Sequence, residues 1–413
     1  MSRGRRFMVI TVAVAVAALA VTGSALGARS DQASGIGIDP GTEFSAFEAQ
    51  VLTRPQAVLG TDGKRHIAYE LVLTGTTPVS LKVDRVRVRD ARTKRTLLSL
   101  SGARLTSQLT KLGLPNAPLT GGIINGAETA FVWIDVALPR TAPIPARIDH
   151  VITATVQAKG RKGPTITGEY TPVAINRTAT VVLGPPLGGG GTWFASDGCC
   201  TNDTHHRRGA ISINGVLLVP QRFAIDFFAL DDQHRSWVGD PSKLTSYLSF
   251  GRPVIAAAGG VVVSARNDLP ETTTIPEPPT PPAISGTTGN NVIVRVSRGV
   301  YLLYGHMAPG SVRVRPGQRI ARGDPIGLVG STGNSTTPHL HFQVLTEPTF
   351  FPSDSTPFVF DSFELVGQIT RRIWDDDLGL QPTGTLPYAP AAAPGVRRRE
   401  MPLDRNVIVF PAA

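Results

Sequence analysis

The sequence predicts an all-β protein built from two β-rich parts. Much of the chain consists of short stretches in which apolar and polar residues alternate, each bounded by glycine, proline, asparagine or aspartate. Alternation with a period of two is typical of strands that bury one face, whereas a helix has a period near 3.6. A glycine-rich break, GPPLGGGG at residues 184–191, separates two runs of such stretches. At 413 residues the chain is long enough for each part to bury a core.

The first 27 residues have the pattern of a secretory signal peptide. Three arginines among the first six residues precede an apolar run that starts at Phe7, and small residues follow it. We therefore expect cleavage near Gly27 and a protein that is secreted or resides in the cell envelope. The alternative is an uncleaved anchor, because the apolar run is just long enough to span a bilayer.

Residues 35–183 predict an immunoglobulin-like β-sandwich. Stretches such as HIAYELVLTG, VSLKVDRVRVRD, TAFVWIDVAL and HVITATVQAKG follow one another at the spacing of antiparallel strands. This part contains no catalytic constellation. Its two histidines, His66 and His150, are isolated, and we interpret them as surface or edge residues.

We place a glycine-rich linker at residues 184–200, a second antiparallel β domain at 201–370 and a C-terminal tail at 371–413. The proline-rich residues 267–289 predict a long exposed loop within the second domain. The two cysteines of the chain, Cys199 and Cys200, are sequence neighbours. In an exported protein they predict a vicinal disulfide or an intermolecular link, and zinc ligation by the pair lacks a second cysteine pair.

Six of the eight histidines lie between residues 205 and 341. In PHLHF, His339 and His341 are two positions apart on a predicted strand, so both side chains point to the same face. By the same alternation, Tyr304 shares a face with His306 in GVYLLYGHM. Asp226 is embedded in the apolar stretch FAIDFFAL, where a carboxylate is unfavourable unless it is paired or binds a cation.

These side chains together indicate a catalytic zinc site. Catalytic zinc takes three protein ligands from His, Asp or Glu and keeps one position for water, whose pKa it lowers towards neutral. Asp226 and one histidine of the HxH pair would be ligands. Further histidines would carry protons near neutral pH.

From about Arg222 to Val344 the chain resembles the lysostaphin/LytM-type zinc endopeptidases, which cut the peptide part of bacterial peptidoglycan. The blocks RFAIDF, GRPVIAAAGGVVV, GNNVIVRVSRGVYLLYGHM and VRPGQRIARGDPIGLVGSTGNSTTPHLHFQV occur in the family's order. The glycine-rich hairpin followed by PHLHF is the family's hallmark. The resemblance covers about a third of the chain and implies a LytM-like antiparallel β-sheet peptidase domain.

The resemblance also implies a role for each site residue. Asp226 and His341 would bind zinc, while His306 and His339 would activate water and stabilise the tetrahedral intermediate. Tyr304, beside His306, would assist.

The chain departs from the family at the first metal ligand. The family has a histidine four residues before the aspartate, and Arg222 stands there in this sequence. A guanidinium has no free lone pair and stays protonated, so it cannot bind zinc. It could instead pair with Asp226 and compete with the metal.

His205 and His206 are the candidates for the missing imidazole. The Asn-Gly pair in SINGVL predicts a two-residue hairpin turn, and its register places His205 opposite Ala224, on the face of Asp226. A one-residue bulge at Pro220 would bring His206 there instead. Both alternatives stay open at the level of sequence.

The leading hypothesis is an exported zinc-dependent endopeptidase acting on peptide cross-links of bacterial peptidoglycan. The alternative, favoured by Arg222, is a catalytically degenerate LytM-like domain that binds the cell wall or regulates another wall hydrolase. A third hypothesis gives the biological role to the sandwich as an adhesion or recognition module.

The charge of the chain bears on its partners. The formal charge of +10 falls to +7 without residues 1–27, which contain three arginines and no acid. This suits an anionic partner such as a cell-wall polymer. We expect no nucleic-acid partner and no transmembrane segment after signal cleavage, and the sequence leaves the oligomeric state open.

Overall fold

Antiparallel strand pairing dominates the computed structural model, which describes residues 45–112, 117–158, 161–272, 284–370 and 384–411. The prediction of an all-β, antiparallel protein is confirmed. The described residues contain one short α-helix, α1 (Gly102–Thr106), and three 3-10 helices, Thr120–Gly122, Leu244–Ser246 and Ile284–Gly286. None of their helices is long and apolar enough to cross a membrane. The predicted signal peptide lies outside the described residues.

The N-terminal part consists of two five-stranded sheets. The first has the order β1-β3-β8-β6 with β2 paired to β3, and the second has the order β10-β9-β4-β5 with β7 paired to β4. The strands are β1 (Phe47–Val51), β2 (Ala57–Leu59), β3 (Lys64–Gly75), β4 (Ser80–Asp90), β5 (Thr96–Ser101), β6 (Leu109–Lys111), β7 (Ile123–Ile124), β8 (Thr129–Pro139), β9 (Arg147–Ala158) and β10 (Arg161–Ala174).

The two sheets share one apolar core. Alternate residues of β3, such as Ile67 and Leu71, pack in the same cluster as Val86 and Val88 of β4. The opposite face of β3 is also buried, because the rest of the protein packs against it. A sandwich is therefore present, while its immunoglobulin-like topology remains a prediction.

The remaining strands build one ten-stranded sheet and three two-stranded ones. The large sheet has the order β20-β17-β18-β19-β22-β15-β12-β26-β24-β25, and the small pairs are β11-β23, β13-β14 and β16-β21. The strands are β11 (Val181–Leu183), β12 (Gly191–Ser196), β13 (Ile211–Ile213), β14 (Val216–Leu218), β15 (Ile225–Leu230), β16 (Pro253–Ile255), β17 (Gly260–Arg266), β18 (Asn290–Ser297), β19 (Val300–Met307), β20 (Arg319–Ile320), β21 (Pro325–Leu328), β22 (Leu340–Leu345), β23 (Phe358–Phe360), β24 (Phe363–Ile369), β25 (Tyr388–Arg397) and β26 (Asn406–Phe410).

The large sheet includes strands from the predicted linker, residues 184–200, and from the predicted tail, residues 371–413. β12 lies within residues 184–200 and pairs with both β15 and β26, and β25 and β26 lie within residues 371–413. These strands form because their apolar residues are buried, as at Trp193 and Phe194 in β12 and Val407 and Ile408 in β26. Both segments therefore support the centre of the sheet.

The cysteines Cys199 and Cys200 are joined to each other in a vicinal disulfide. This agrees with one of the two expectations from the sequence and leaves no thiolate in the pair to bind zinc. The histidines of the sandwich are buried, contrary to the expectation of surface or edge positions. His66 bonds Asp135, and His150 bonds the hydroxyl of Tyr69.

Candidate metal centre

Asp226 lies near the start of β15, at the centre of the large sheet. It lies opposite Ser196 on one neighbouring strand, β12, and opposite His341 on the other, β22. The His341 Nδ1 atom is 2.8 Å from Asp226 Oδ1. The pairing of β15 with β22 thus creates a carboxylate–imidazole pair from two positions that are far apart in the sequence.

Two further imidazoles approach the other oxygen of the same carboxylate. The Nε2 atoms of His206 and His339 each lie 3.5 Å from Asp226 Oδ2. His339 comes from the segment that enters β22 and packs against the ring of Phe228. His206 comes from the turn before β13 and is only 1% exposed.

His306 reaches the same cluster from β19, with its ring centroid 4.7 Å from that of His339. Its backbone has a φ of 58°, in the left-handed region that non-glycine residues rarely adopt. The pairing of β18 with β19 shows a register irregularity at this point. Such irregularities re-aim side chains beside functional sites.

One ring nitrogen of each of the four buried histidines is fixed by an oxygen acceptor outside the cluster. Three of the rings donate their Nδ1–H to a backbone carbonyl. His206 donates to Asp197 at 3.1 Å, His306 donates to Thr332 at 2.7 Å, and His339 donates to Thr337 at 2.7 Å. His341 uses Nε2–H, which donates to Gln343 Oε1 at 2.8 Å.

These hydrogen bonds select the tautomer of each ring, so the other nitrogen carries a lone pair. The free nitrogens of His206, His339 and His341 then lie beside the Asp226 carboxylate. His341 Nδ1 and Asp226 Oδ1 would both be acceptors at 2.8 Å, and only a cation or a proton between them reconciles the contact. The donor set therefore fits a metal ion.

Burial governs the charge states of the cluster. It lowers the pKa of His206 to about 3, and it also lowers the pKa values of His306 and His339. Burial opposes ionisation of Asp226, but the surrounding imidazoles hold the pKa of this carboxyl well below its usual range. Metal binding requires an ionised carboxylate and a neutral imidazole, and the directions of the pKa shifts of Asp226 and His206 agree with that requirement.

The spacing of the donors also suits zinc. Zinc bonds to His and Asp are about 2.0–2.2 Å long, so two ligand atoms of a tetrahedral site are about 3.4 Å apart. The distance from His206 Nε2 to Asp226 Oδ2 is 3.5 Å. His339 Nε2 lies at the same distance, so the spacing allows either imidazole to join Asp226 and His341 in holding a metal.

His205 occupies a different position from His206. Its side chain is 64% exposed and its Nδ1 atom lies 3.0 Å from Asp197 Oδ1. Ligand atoms of His205, His206 and Asp226 can come within 4.8 Å of one another, so His205 stands next to the centre. It is the more exposed of the two histidines and the less constrained.

The turn predicted between these histidines and Asp226 is confirmed, but its register does not extend to them. Ile213 pairs with Val216 around the Asn-Gly turn, and the ladder ends at Ile211. His206 therefore reaches Asp226 from a turn, beyond the end of this ladder and without a contribution from the alternative bulge at Pro220.

Arg222 pairs with carboxylates other than Asp226. Its guanidinium donates to Glu70 of β3, with Nη2 2.7 Å from Oε2, and to Asp354. It is buried away from the histidine cluster, so the expected competition with the metal does not arise.

Tyr304 does not line the cleft. Its hydroxyl accepts a hydrogen bond from the backbone N–H of Ala257 at 2.8 Å, and its ring packs against Phe342 in the core. The alternation that placed Tyr304 on the face of His306 breaks at the register irregularity between them. Tyr304 thus points into the core and away from the cleft, so the structure does not support the prediction that it assists at the site.

Two supporting residues were missed. Gln343 follows His341 by two residues on β22, so strand alternation could have found it. Asp197 follows β12, and its N–H donates to Asp404 Oδ1 at 2.9 Å. Asp404 lies between β25 and β26, 207 positions after Asp197. No local sequence pattern could therefore have predicted this contact.

The cluster lies at the base of a cleft of about 330 Å³. His205, the four buried histidines and Asp226 line it together with polar, uncharged residues: Thr287, Thr288, Asn334, Thr336 and Thr337. Hydroxyl and amide groups of this kind can bond the backbone of an extended peptide.

The sequence profile of peptidase family M23 matches residues 246–349. The chain contains a peptidase family M23 domain. The matched residues of the M23 domain include His306, His339 and His341, whereas His206 and Asp226 precede the match.

Two curated relatives share this domain. The chain is 31% identical over 99 residues to the cell division protein DipM of Caulobacter vibrioides, covering 24% of this chain and 13% of DipM. It is 33% identical over 98 residues to the peptidoglycan DD-endopeptidase ShyA of Vibrio cholerae, covering 24% of this chain and 18% of ShyA. The similarity thus spans less than a fifth of either relative.

Among solved structures, the catalytic domain of lysostaphin from Staphylococcus simulans is 24% identical in sequence. The alignment covers 35% of this chain and 80% of that domain, with a TM-score of 0.22. A superposition at that score adds nothing to the assignment of the M23 domain.

Proposed function

We propose that this chain is an exported, zinc-dependent endopeptidase that hydrolyses peptide cross-links of bacterial peptidoglycan. The observation that carries the proposal is the ring of four buried imidazoles around Asp226, each with its outer nitrogen tied to an oxygen acceptor. Orientation of ligands by such outer partners is typical of metal sites. The substrate class follows from the similarity to ShyA, whose name describes a peptidoglycan DD-endopeptidase.

His206, Asp226 and His341 would hold the zinc ion. When bound, zinc supplies a water molecule of lowered pKa and polarises the carbonyl under attack. His206 replaces the imidazole that the family places where this chain has Arg222.

His306 and His339 would handle the proton. Nδ1–H of each ring is donated to a backbone carbonyl, so Nε2 carries the lone pair. A neutral imidazole within the cleft can accept a proton from water and later return it to the leaving amine. The carbonyl acceptors at Thr332 and Thr337 would stabilise the protonated ring during the transfer.

The alternative is a degenerate domain that binds the cell wall or regulates another hydrolase. Arg222 favours it, since that residue cannot bind zinc. Its ion pairs with Glu70 and Asp354 neutralise the guanidinium away from Asp226, so Arg222 does not compete with a metal for that carboxylate. The third donor at His206 supports the enzyme hypothesis.

Digestion of purified peptidoglycan by the protein without residues 1–27 tests the proposal. We expect mass spectrometry to show cleaved peptide cross-links, loss of cleavage with a zinc chelator and recovery when zinc is restored. His339→Ala should bind zinc but release no cleaved product. Absence of zinc after reconstitution, together with intact cross-links, would favour the regulatory alternative.

A further inference from the structure

We propose that Glu70, a residue of the N-terminal sandwich, is a positioning residue for the metal centre. The inference rests on the proposed function and adds that the sandwich is a structural part of the centre. It follows from a buried ion cluster that joins three segments of the chain: Glu70 in β3, Arg207 in the turn that carries His206, and Arg222 ahead of Asp226.

Glu70 is fully buried, although it belongs to a sandwich strand. It lies on the face of β3 opposite to the sandwich core and stands in register with Trp133 of β8. Around it, Val72, Phe131 and Trp133 pack against Ala210 and Val219, which flank the β13-β14 hairpin. The sandwich and the residues that flank the β13-β14 hairpin therefore share an apolar contact around this carboxylate.

Arg207 extends from the His206 turn into this contact. Its guanidinium bonds Glu70 Oε1, lies 5.6 Å from the centroid of the Trp133 ring, and donates to the carbonyl of Ile134 at 3.3 Å. These bonds come from several directions, so they fix the guanidinium in orientation as well as in distance. Since adjacent Cα atoms are about 3.8 Å apart, fixing Arg207 also fixes His206.

Arg222 fixes the second segment through the same carboxylate. Its Nε atom lies 2.9 Å from Glu70 Oε2, and its Nη1 atom bonds Asp354. Arg222 precedes Asp226 by four residues, at the entrance to β15. One carboxylate of the sandwich therefore holds the backbone segments of two proposed zinc ligands.

The cluster is electrically balanced, with two carboxylates facing two guanidinium groups. Burial opposes ionisation of Glu70, but Arg222 and Arg207 lower the pKa of its carboxyl, so the charge persists. Apolar residues of similar volume can stabilise a protein interior as well as a buried ion pair does. The directional bonds of this cluster act instead on geometry, which a metal centre requires within about half an ångström.

The test compares zinc affinity in wild-type protein and in Glu70→Gln, both without residues 1–27. Asp149→Asn is the matched control, because Asp149 is a buried sandwich carboxylate whose ion-pair partners are Arg89 and Lys94 rather than Arg207 or Arg222. Affinity is measured by competition with a chromophoric chelator, and the visible spectrum of the Co²⁺-substituted protein reports ligand geometry. Thermal unfolding in the presence of a chelator separates these readouts from stability.

We expect Glu70→Gln to lower zinc affinity about 10-fold and to alter the Co²⁺ spectrum, the smaller end of the loss caused by removing a direct partner of a ligand, because Glu70 acts through Arg207 and Arg222. Asp149→Asn should lower the unfolding temperature but leave both metal readouts unchanged. Equal zinc affinity and an unchanged spectrum in Glu70→Gln would overturn the inference. If wild-type protein binds no zinc, the proposed function fails first and the inference fails with it.

Arg207→Lys keeps the inference testable if Glu70→Gln does not fold. Lysine preserves the charge but cannot reproduce the forked donation to Glu70 and the Ile134 carbonyl. A lower zinc affinity in this variant supports the positioning role. Wild-type affinity in a folded Arg207→Lys protein would overturn it.

Discussion

Replacing His206 by alanine removes the residue that compensates for Arg222. The imidazole is buried, its Nε2 atom is 3.5 Å from Asp226 Oδ2, and its Nδ1–H is committed to the Asp197 carbonyl. Structural zinc held by four ligands contributes about 10–16 kcal/mol, or about 3–4 kcal/mol for each ligand. Loss of one ligand therefore corresponds to a decrease in affinity on the order of 10²- to 10³-fold.

The structure favours the lower end of this range. His339 Nε2 lies the same 3.5 Å from Asp226 Oδ2 and could partly replace the lost donor. That substitution would remove His339 from proton transfer, so activity should fall more than zinc affinity does. The assay is chelator competition for zinc affinity, combined with turnover on a soluble cross-linked peptide at saturating zinc.

His205→Ala is the paired variant, since it changes the neighbouring imidazole, which is mostly exposed. Its zinc affinity should stay within about threefold of wild type, as for most surface substitutions. The assignment of His206 is refuted if His206→Ala retains wild-type affinity. A loss confined to His205→Ala would transfer the ligand role to His205.

Three further predictions follow from single contacts. Gln343→Met removes the acceptor of His341 Nε2–H and should lower zinc affinity about 10- to 100-fold, measured by chelator competition; unchanged affinity would contradict the role of Gln343. Tyr304→Phe leaves the Ala257 N–H without its acceptor and should reduce the free energy of unfolding in urea by about 1–3 kcal/mol while turnover persists. A large loss of turnover in Tyr304→Phe would indicate that Tyr304 takes part in catalysis after all. Burial lowers the pKa of His150 to about 4 from 6.5, so its contribution to stability is complete above pH 6.5 and is lost as the pH falls towards 4. Between pH 7 and 4, wild type should lose about 3 kcal/mol more of its unfolding free energy than His150→Gln, and parallel urea profiles would contradict this.

Residues brought together by strand alternation were predictable from the sequence. His339 and His341 are two positions apart in a predicted strand, and Asp226 is a carboxylate in an apolar stretch. In the structure these three converge, with His341 directly opposite Asp226 in the ladder. Local periodicity carries this information because each position depends only on its own strand.

Contacts set by distant segments were not predictable. The partner of Arg222 is Glu70, 152 residues earlier and in the sandwich, so no local pattern reveals the ion pair. His206 reaches the centre through a turn whose geometry depends on Arg207 and the sandwich, beyond the end of the hairpin ladder. Contrary to the prediction, Tyr304 does not share a face with His306, because the alternation of β19 breaks beside His306.

Short strands in segments of unusual composition were missed for a related reason. β12 begins at the last of four consecutive glycines and β26 follows an arginine cluster, and each is stabilised by pairing with the other. Gly191 pairs with Phe410, more than 200 residues away. Propensity within a five- or six-residue window cannot report such pairing.

Anomalous diffraction at the zinc absorption edge, on crystals of the protein without residues 1–27, tests the central claim most directly. We predict one zinc peak in contact with the imidazole nitrogens of His206 and His341 and the carboxylate of Asp226. The absence of a peak after reconstitution with zinc would contradict the account. So would a peak held by His205 and Asp197 in place of these ligands.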